Sequence, residues 1–137
     1  LTRQEAHGRV VDRTTLSSWS ALVAYCRAEF GHARVEQFHL LFLDRKNRLI
    51  ADEAQSRGTI DQTAAYPREV VKRALAHDAS ALIIAHNHPS GDPTPSQADV
   101  EMTRAIKAAL STVGVALHDH LIVGRDRDAS LAQLGLL

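Results

Sequence analysis

The sequence predicts an α/β domain, a mixed sheet flanked by about three helices. Two observations carry this expectation. Segments whose apolar residues recur every three or four positions alternate with short apolar runs, and the elements follow the order helix, hairpin, helix, strand, helix, strand. A chain of 137 residues has room for one such domain. Residues 1–13, with little periodicity, read as a tail or linker, and 14–137 as the domain.

The first helix is expected over about 15–30, where Leu16, Trp19, Leu22, Val23, Cys26 and Phe30 share a face and Ser17 or Ser18 offers a cap. Gln37 to Leu43 is too short and too apolar for a surface helix; with a turn at 44–48 and Leu49 to Ala51 it makes a hairpin. The stretch 59–65 is ambiguous. Pro67 suits the first turn of a second helix ending near His77, with Val70, Val71, Ala74 and Leu75 on one face. Residues 79–85 read as a buried strand emptying into a stiff loop at 86–95 that holds three of the four prolines. From Ser96, the positions Val100, Thr103, Ile106, Leu110 and Val113 define a third helix, with Gly114 as its stop. A strand over 115–123 completes the series.

Lys plus Arg number 16 and Asp plus Glu 16, and the pI is about 7.3, so no basic excess drives binding to phosphate backbones. Apolar runs such as Ala81 to Ala85 are far short of the roughly 20 residues that span a bilayer. One cysteine, Cys26, excludes an internal disulfide framework and reads as a core residue. With no visible leader, the cytoplasm is the expected location. The chain begins at Leu1 rather than Met, as a piece of a longer protein would.

Chemistry concentrates at 86–99. His86 and His88, two apart at a strand end, leave one face if the extended geometry persists. Asp99 falls in the first turn of the third helix, where the dipole favours an ionised carboxylate. Two imidazoles and one carboxylate would leave a zinc ion a fourth position open to water, the pattern of a catalytic site. The plainer reading makes the histidines polar strand-end residues and Ser96 with Asp99 a capping box. The two readings are compatible, because a capped helix holds Asp99 still.

His86-Asn87-His88-Pro89, six residues, then Ser96-Gln97-Ala98-Asp99 resembles the JAMM (MPN+) metallopeptidase signature, His-x-His-Pro-x6-Ser-x-x-Asp. With Tyr66-Pro67-Arg68-Glu69-Val70 upstream and Asp119-His120-Leu121-Ile122-Val123-Gly124 downstream, the chain resembles the bacterial RadC (UPF0758) family over roughly 14–131. That resemblance implies a cytidine-deaminase-like, JAB/MPN fold and one zinc ion per chain held by His86, His88 and Asp99. It also implies a helix-hairpin-helix-bearing region ahead of this domain in longer members. It makes Glu36 the proton acceptor, with Glu29, Glu53 and Glu69 as rivals, and Ser96 the hydrogen-bond donor to a developing oxyanion. Glu69 has a structural alternative in an i+4 pair with Arg73.

The activity implied is hydrolysis of peptide or isopeptide amides, with the substrate unnamed. In His118-Asp119-His120, strand alternation puts the two histidines on one face, and His120 is expected to support the zinc site by hydrogen bonding. Asn87, Ser90 and Asp92 are expected to shape the metal loop. Zinc-deaminase chemistry is rejected, since it needs a Pro-Cys-x-x-Cys pair. Two alternatives stand beside the peptidase. One is a metal-dependent nuclease, which usually needs two metals and more carboxylates. The other is a DNA-repair-associated module that binds nucleic acid or protein without peptidase activity. For DNA the candidates are Arg68, Lys72 and Arg73 on the second helix and Arg45, Lys46 and Arg48 at the hairpin turn, with few aromatics for base stacking.

Overall fold

The computed structural model describes residues 15, 16, 18–55 and 66–137; the tail 1–13, the Thr14 boundary, Ser17 and the ambiguous stretch 59–65 lie outside the described residues. The described elements are α1 (Trp19–Phe30), β1 (Phe38–Leu43), β2 (Leu49–Ala54), α2 (Pro67–Ala76), β3 (Ala81–Asn87), α3 (Gln97–Ser111), β4 (Ala116–Val123) and β5 (Asp128–Ser130). The strands form one mixed sheet in the order β2-β1-β3-β4-β5, with β3 and β4 parallel and every other pairing antiparallel. The expected class, a mixed sheet with three helices, is what the chain forms, and it is consistent with a JAB/MPN-like fold.

Helices cover both faces. Phe38, Leu40, Phe42, Leu82 and Ile84 pack under α2 and α3 through Val70, Ala74, Ile106 and Leu110. Leu41, Leu43, Ile83, Ala85 and Leu121 pack on the opposite face against Leu22, Cys26 and Phe30 of α1. β1 and β3 are interior strands covered on both sides, so every one of their residues is buried and neither shows alternation. The edge strand β2 carries Asp52 and Glu53, and charge there blunts pairing with another chain.

Several boundaries differ from the sequence reading. α1 starts at Trp19, because Thr15 bridges Arg48 and the Leu16 N–H donates to the Asn47 carbonyl, which leaves Ser18 as the cap. Leu75 is 55% exposed, outside the buried face of α2 formed by Val70 and Ala74. Arg73 bonds Glu53, which also meets His77, while Glu69 pairs with Lys72; the expected Glu69–Arg73 pair is absent among the described residues. β3 runs on through His86 and Asn87, so these belong to the strand rather than the loop.

β4 holds one residue more than the ladder uses. Leu82 pairs with Leu117 and Ile83 with Asp119, which leaves His118 outside the register. The shift overturns the expectation that His118 and His120 share a face. His118 is exposed, bonds Asn47 Oδ1 at 3.0 Å and lies beside Leu16 and Leu22 on the α1 side, whereas His120 is fully buried against α3.

Candidate metal centre

His86 follows Leu82 and Ile84 on the α3 face of β3, at the parallel strand's C-terminal end, where open α/β sheets place their ligand sites. His88 lies just past the strand. The Ser96 Oγ accepts from the Asp99 N–H at 3.0 Å and Asp99 Oδ2 accepts from the Ser96 N–H at 3.0 Å, so the capping box is formed and fixes the Asp99 carboxylate. Antiparallel pairing of Phe38 with His86 brings the chain end before β1 to the same place. Glu36 arrives there from 50 residues away in sequence.

The polar atoms converge. His86 Nε2 lies 2.9 Å from His88 Nε2 and 3.8 Å from Asp99 Oδ2, and His88 Nε2 lies 3.7 Å from Asp99 Oδ2. Ligands about 2.0–2.1 Å from a common ion at tetrahedral angles sit about 3.3 Å apart, so this triangle is close to three vertices of a zinc tetrahedron. Glu36 Oε2 is 3.3 Å from His86 Nε2, and Glu36, His86 and His88 also satisfy the spacing of a metal group. Two carboxylates therefore flank the histidine pair. Glu53 and Glu69 are occupied elsewhere, and Glu29 lies on α1.

The partners fix the imidazole tautomers. The Thr103 hydroxyl donates to the Asp99 carbonyl at 2.6 Å, so at its 2.6 Å contact with His120 Nδ1 it must accept. Burial holds the fully buried His120 well below its ordinary pKa, hence neutral, and its Nε2 accepts from His86 Nδ1–H at 2.7 Å. His86 is likewise neutral: burial, reinforced by His88 against Asp99, pushes its pKa down to about 4. Its Nε2 lone pair faces the site. The His88 Nδ1–H donates to the Asp92 carbonyl at 2.9 Å, so neutral His88 also turns its Nε2 lone pair there.

Two lone pairs and two carboxylates facing one another require a cation among them. In a metal-free chain His88 is the group that can take a proton into that role, because the Asp99 carboxylate 3.7 Å away raises its pKa above the usual value, against burial. The donor set therefore fits a divalent ion of the zinc type. Asp99 is buried, which alone would raise its pKa, yet His88, His86 and Ser96 hold it well below the usual carboxylate range. Burial, opposed by His88 and reinforced by Asp99, raises Glu36. The two carboxylates thus differ in basicity, and Glu36, half-exposed, is the better proton acceptor.

Asn87 lies between the two histidines and points the other way. Its Oδ1 accepts the Gln37 N–H at 2.6 Å, and its Nδ2 donates to the carbonyls of Ala33 at 3.4 Å and Val35 at 3.2 Å, which ties down the segment that carries Glu36. Ser90 and Asp92 shape the loop through turn bonds to Asp92 N–H and Thr94. Sequence reasoning missed Thr103, which reads only as a residue of a buried helical face. Its i+4 spacing from Asp99 was the available signal.

Residues 16–136 match the family described as the RadC-like JAB domain. A UPF0758 protein of Rhodobacter capsulatus is 60% identical over 132 residues, which cover 96% of this chain and 62% of the relative. A UPF0758 protein of Ruegeria pomeroyi is 54% identical over 132 residues, covering 96% and 59%. The chain spans about three fifths of the length of these curated relatives.

Proposed function

The chain belongs to the RadC-like JAB domain family, and from that premise we propose that it is a zinc-dependent metallohydrolase cleaving peptide or isopeptide amides. The observation that carries the reading is the convergence of His86 Nε2, His88 Nε2 and Asp99 Oδ2 beside the Glu36 carboxylate. In this reading His86, His88 and Asp99 hold the ion. When bound, zinc supplies a Lewis acid for the amide carbonyl and lowers the pKa of a coordinated water to about 7.

The remaining work falls to side chains. Glu36, the more basic carboxylate, takes the proton released by the attacking water and returns it to the leaving amine. The Ser96 Oγ spends a lone pair on the Asp99 N–H, which leaves its hydroxyl proton for a developing oxyanion, an effect of about 3 kcal/mol when such a donor is lost. His120 and Thr103 keep His86 in the tautomer whose Nε2 faces the site. A nucleic-acid reading draws less support, because Arg48, Lys72 and Arg73 are each engaged by a carboxylate. No described helix is long and apolar enough to cross a membrane.

The test is metal content by plasma mass spectrometry, with a screen of fluorogenic peptide and isopeptide substrates. About one zinc per chain is expected, lost when His86→Ala and His88→Ala are combined. Glu36→Gln is expected to keep the zinc and to lower turnover by about 100-fold or more. A chain that takes up no zinc after add-back, or hydrolysis indifferent to Glu36→Gln, overturns the reading and favours a binding module.

A further inference from the structure

A cleft of about 440 Å³ opens beside the metal centre on the α1 side of the sheet, a size within the range of about 300–1,000 Å³ usual for small-ligand pockets. His88 is the wall shared by the two: its Nε2 faces Asp99 while the residue borders the cleft. Three arginines line it, Arg27, Arg34 and Arg125, together with His32. Among the described residues no carboxylate and no Phe, Tyr or Trp does so.

Arg27 is already committed. Its Nη2 donates to Asp128 at 2.7 Å, and its Nη1 donates to the carbonyls of Gly124 and Arg125, both at 3.3 Å. Arg125 lies across Gly91, its Cζ 3.3 Å from where a Cβ at that glycine would sit. Neither Arg34 nor Arg125 has an acidic partner among the described residues, and the nearby Asp92 is turned to Arg127. Among the described residues, the cleft therefore holds two guanidinium groups without a carboxylate partner, next to the centre assigned to amide cleavage.

We propose that this cleft is a substrate subsite for a carboxylate, so that the preferred peptide carries an acidic side chain or a free C-terminal carboxylate next to the amide presented at His86, His88 and Asp99. Guanidinium forks match a carboxylate bidentately. A polynucleotide fits less well, because among the described residues no Phe, Tyr or Trp lines the cleft as a platform for bases. The inference rests on the hydrolase reading for the placement of the scissile amide, but the cleft's selectivity is measurable without turnover.

The experiment uses the full 137-residue chain carrying Glu36→Gln, with and without zinc, and reads binding by NMR titration. The probes are acetyl-Ala-Glu-Ala-amide, its neutral Gln counterpart, and acetyl-Ala-Gln-Ala with a free C-terminus. One acidic probe is expected to bind at least about fivefold more tightly than the neutral one at low salt, and which one distinguishes side-chain from terminal carboxylate. The preference is expected to vanish when Arg34→Gln and Arg125→Gln are combined, and to weaken at about 0.5 M salt. Equal binding of acidic and neutral probes, a preference that survives the double variant, or tighter binding of a single-stranded oligonucleotide at the same cleft overturns the proposal. Failure of zinc uptake would strike the hydrolase reading and leave this selectivity standing or falling separately.

Discussion

Replacing His120 with leucine removes the acceptor of the His86 Nδ1–H and the donor to Thr103 Oγ1 while filling much of the same space. His86 is fully buried, so its Nδ1–H loses its partner where water cannot replace it, at a cost of about 1–3 kcal/mol. The ring escapes that cost by moving its proton to Nε2, which withdraws the lone pair that faces His88 and Asp99. Zinc affinity is then expected to fall about 10–100-fold, equivalent to about 1.4–2.7 kcal/mol. Thr103→Val removes only the outer link and is expected to cost less than about tenfold. Chelator competition at neutral pH measures the affinity, and urea unfolding of the metal-free chain measures stability separately. A His120→Leu chain that is destabilised yet binds zinc within about twofold of wild type would refute the tautomer argument.

Three further outcomes follow from the same geometry. In the metal-free chain His86 accepts a proton only near pH 4, whereas in the unfolded chain it does so near 6.5, so stability should fall by about 3 kcal/mol as pH drops between those values; a flat urea midpoint across that window would contradict it. Zinc must displace the His88 proton, so affinity in the same competition assay should weaken as pH falls through the raised pKa of that residue, with a proton released on binding. Asn87→Ala should cost about 1–3 kcal/mol in urea unfolding, and should slow hydrolysis with zinc stoichiometry intact, because it frees the 33–37 segment rather than the histidines.

Local patterns carried much of the site, and long-range pairing carried the rest. His86 and His88 share a side because they are two apart in extended chain, and Asp99 is oriented by a capping box readable over three residues. Glu36 had no such local signal. Its place follows from β1 pairing antiparallel to β3, and an argument from residues alone could not separate it from Glu29, Glu53 and Glu69. Asn87 is visible in the motif, but its partners lie some 50 residues upstream. The three-residue β5 is too short for periodicity to register, and the start of α1 was blurred because Leu16 continues the apolar spacing while its backbone pairs with the hairpin turn.

The unpaired residue of β4 separates two kinds of change that usually go together. Leu117 and His120 are an odd number of positions apart, yet both face α2 and α3, because His118 takes up the extra step. Shortening the strand by this one residue would let Leu117 be followed directly by Asp119, and the pairs Leu82 with Leu117, Ile83 with Asp119 and Ile84 with His120 would all survive. Removing one residue after His120 would instead reverse the strand's remaining side chains, sending Ile122 away from Val100 and Leu131. Chain length in this strand is therefore adjustable at one position and fixed beyond it, so homologous chains that differ by a residue in β4 should place the gap at His118.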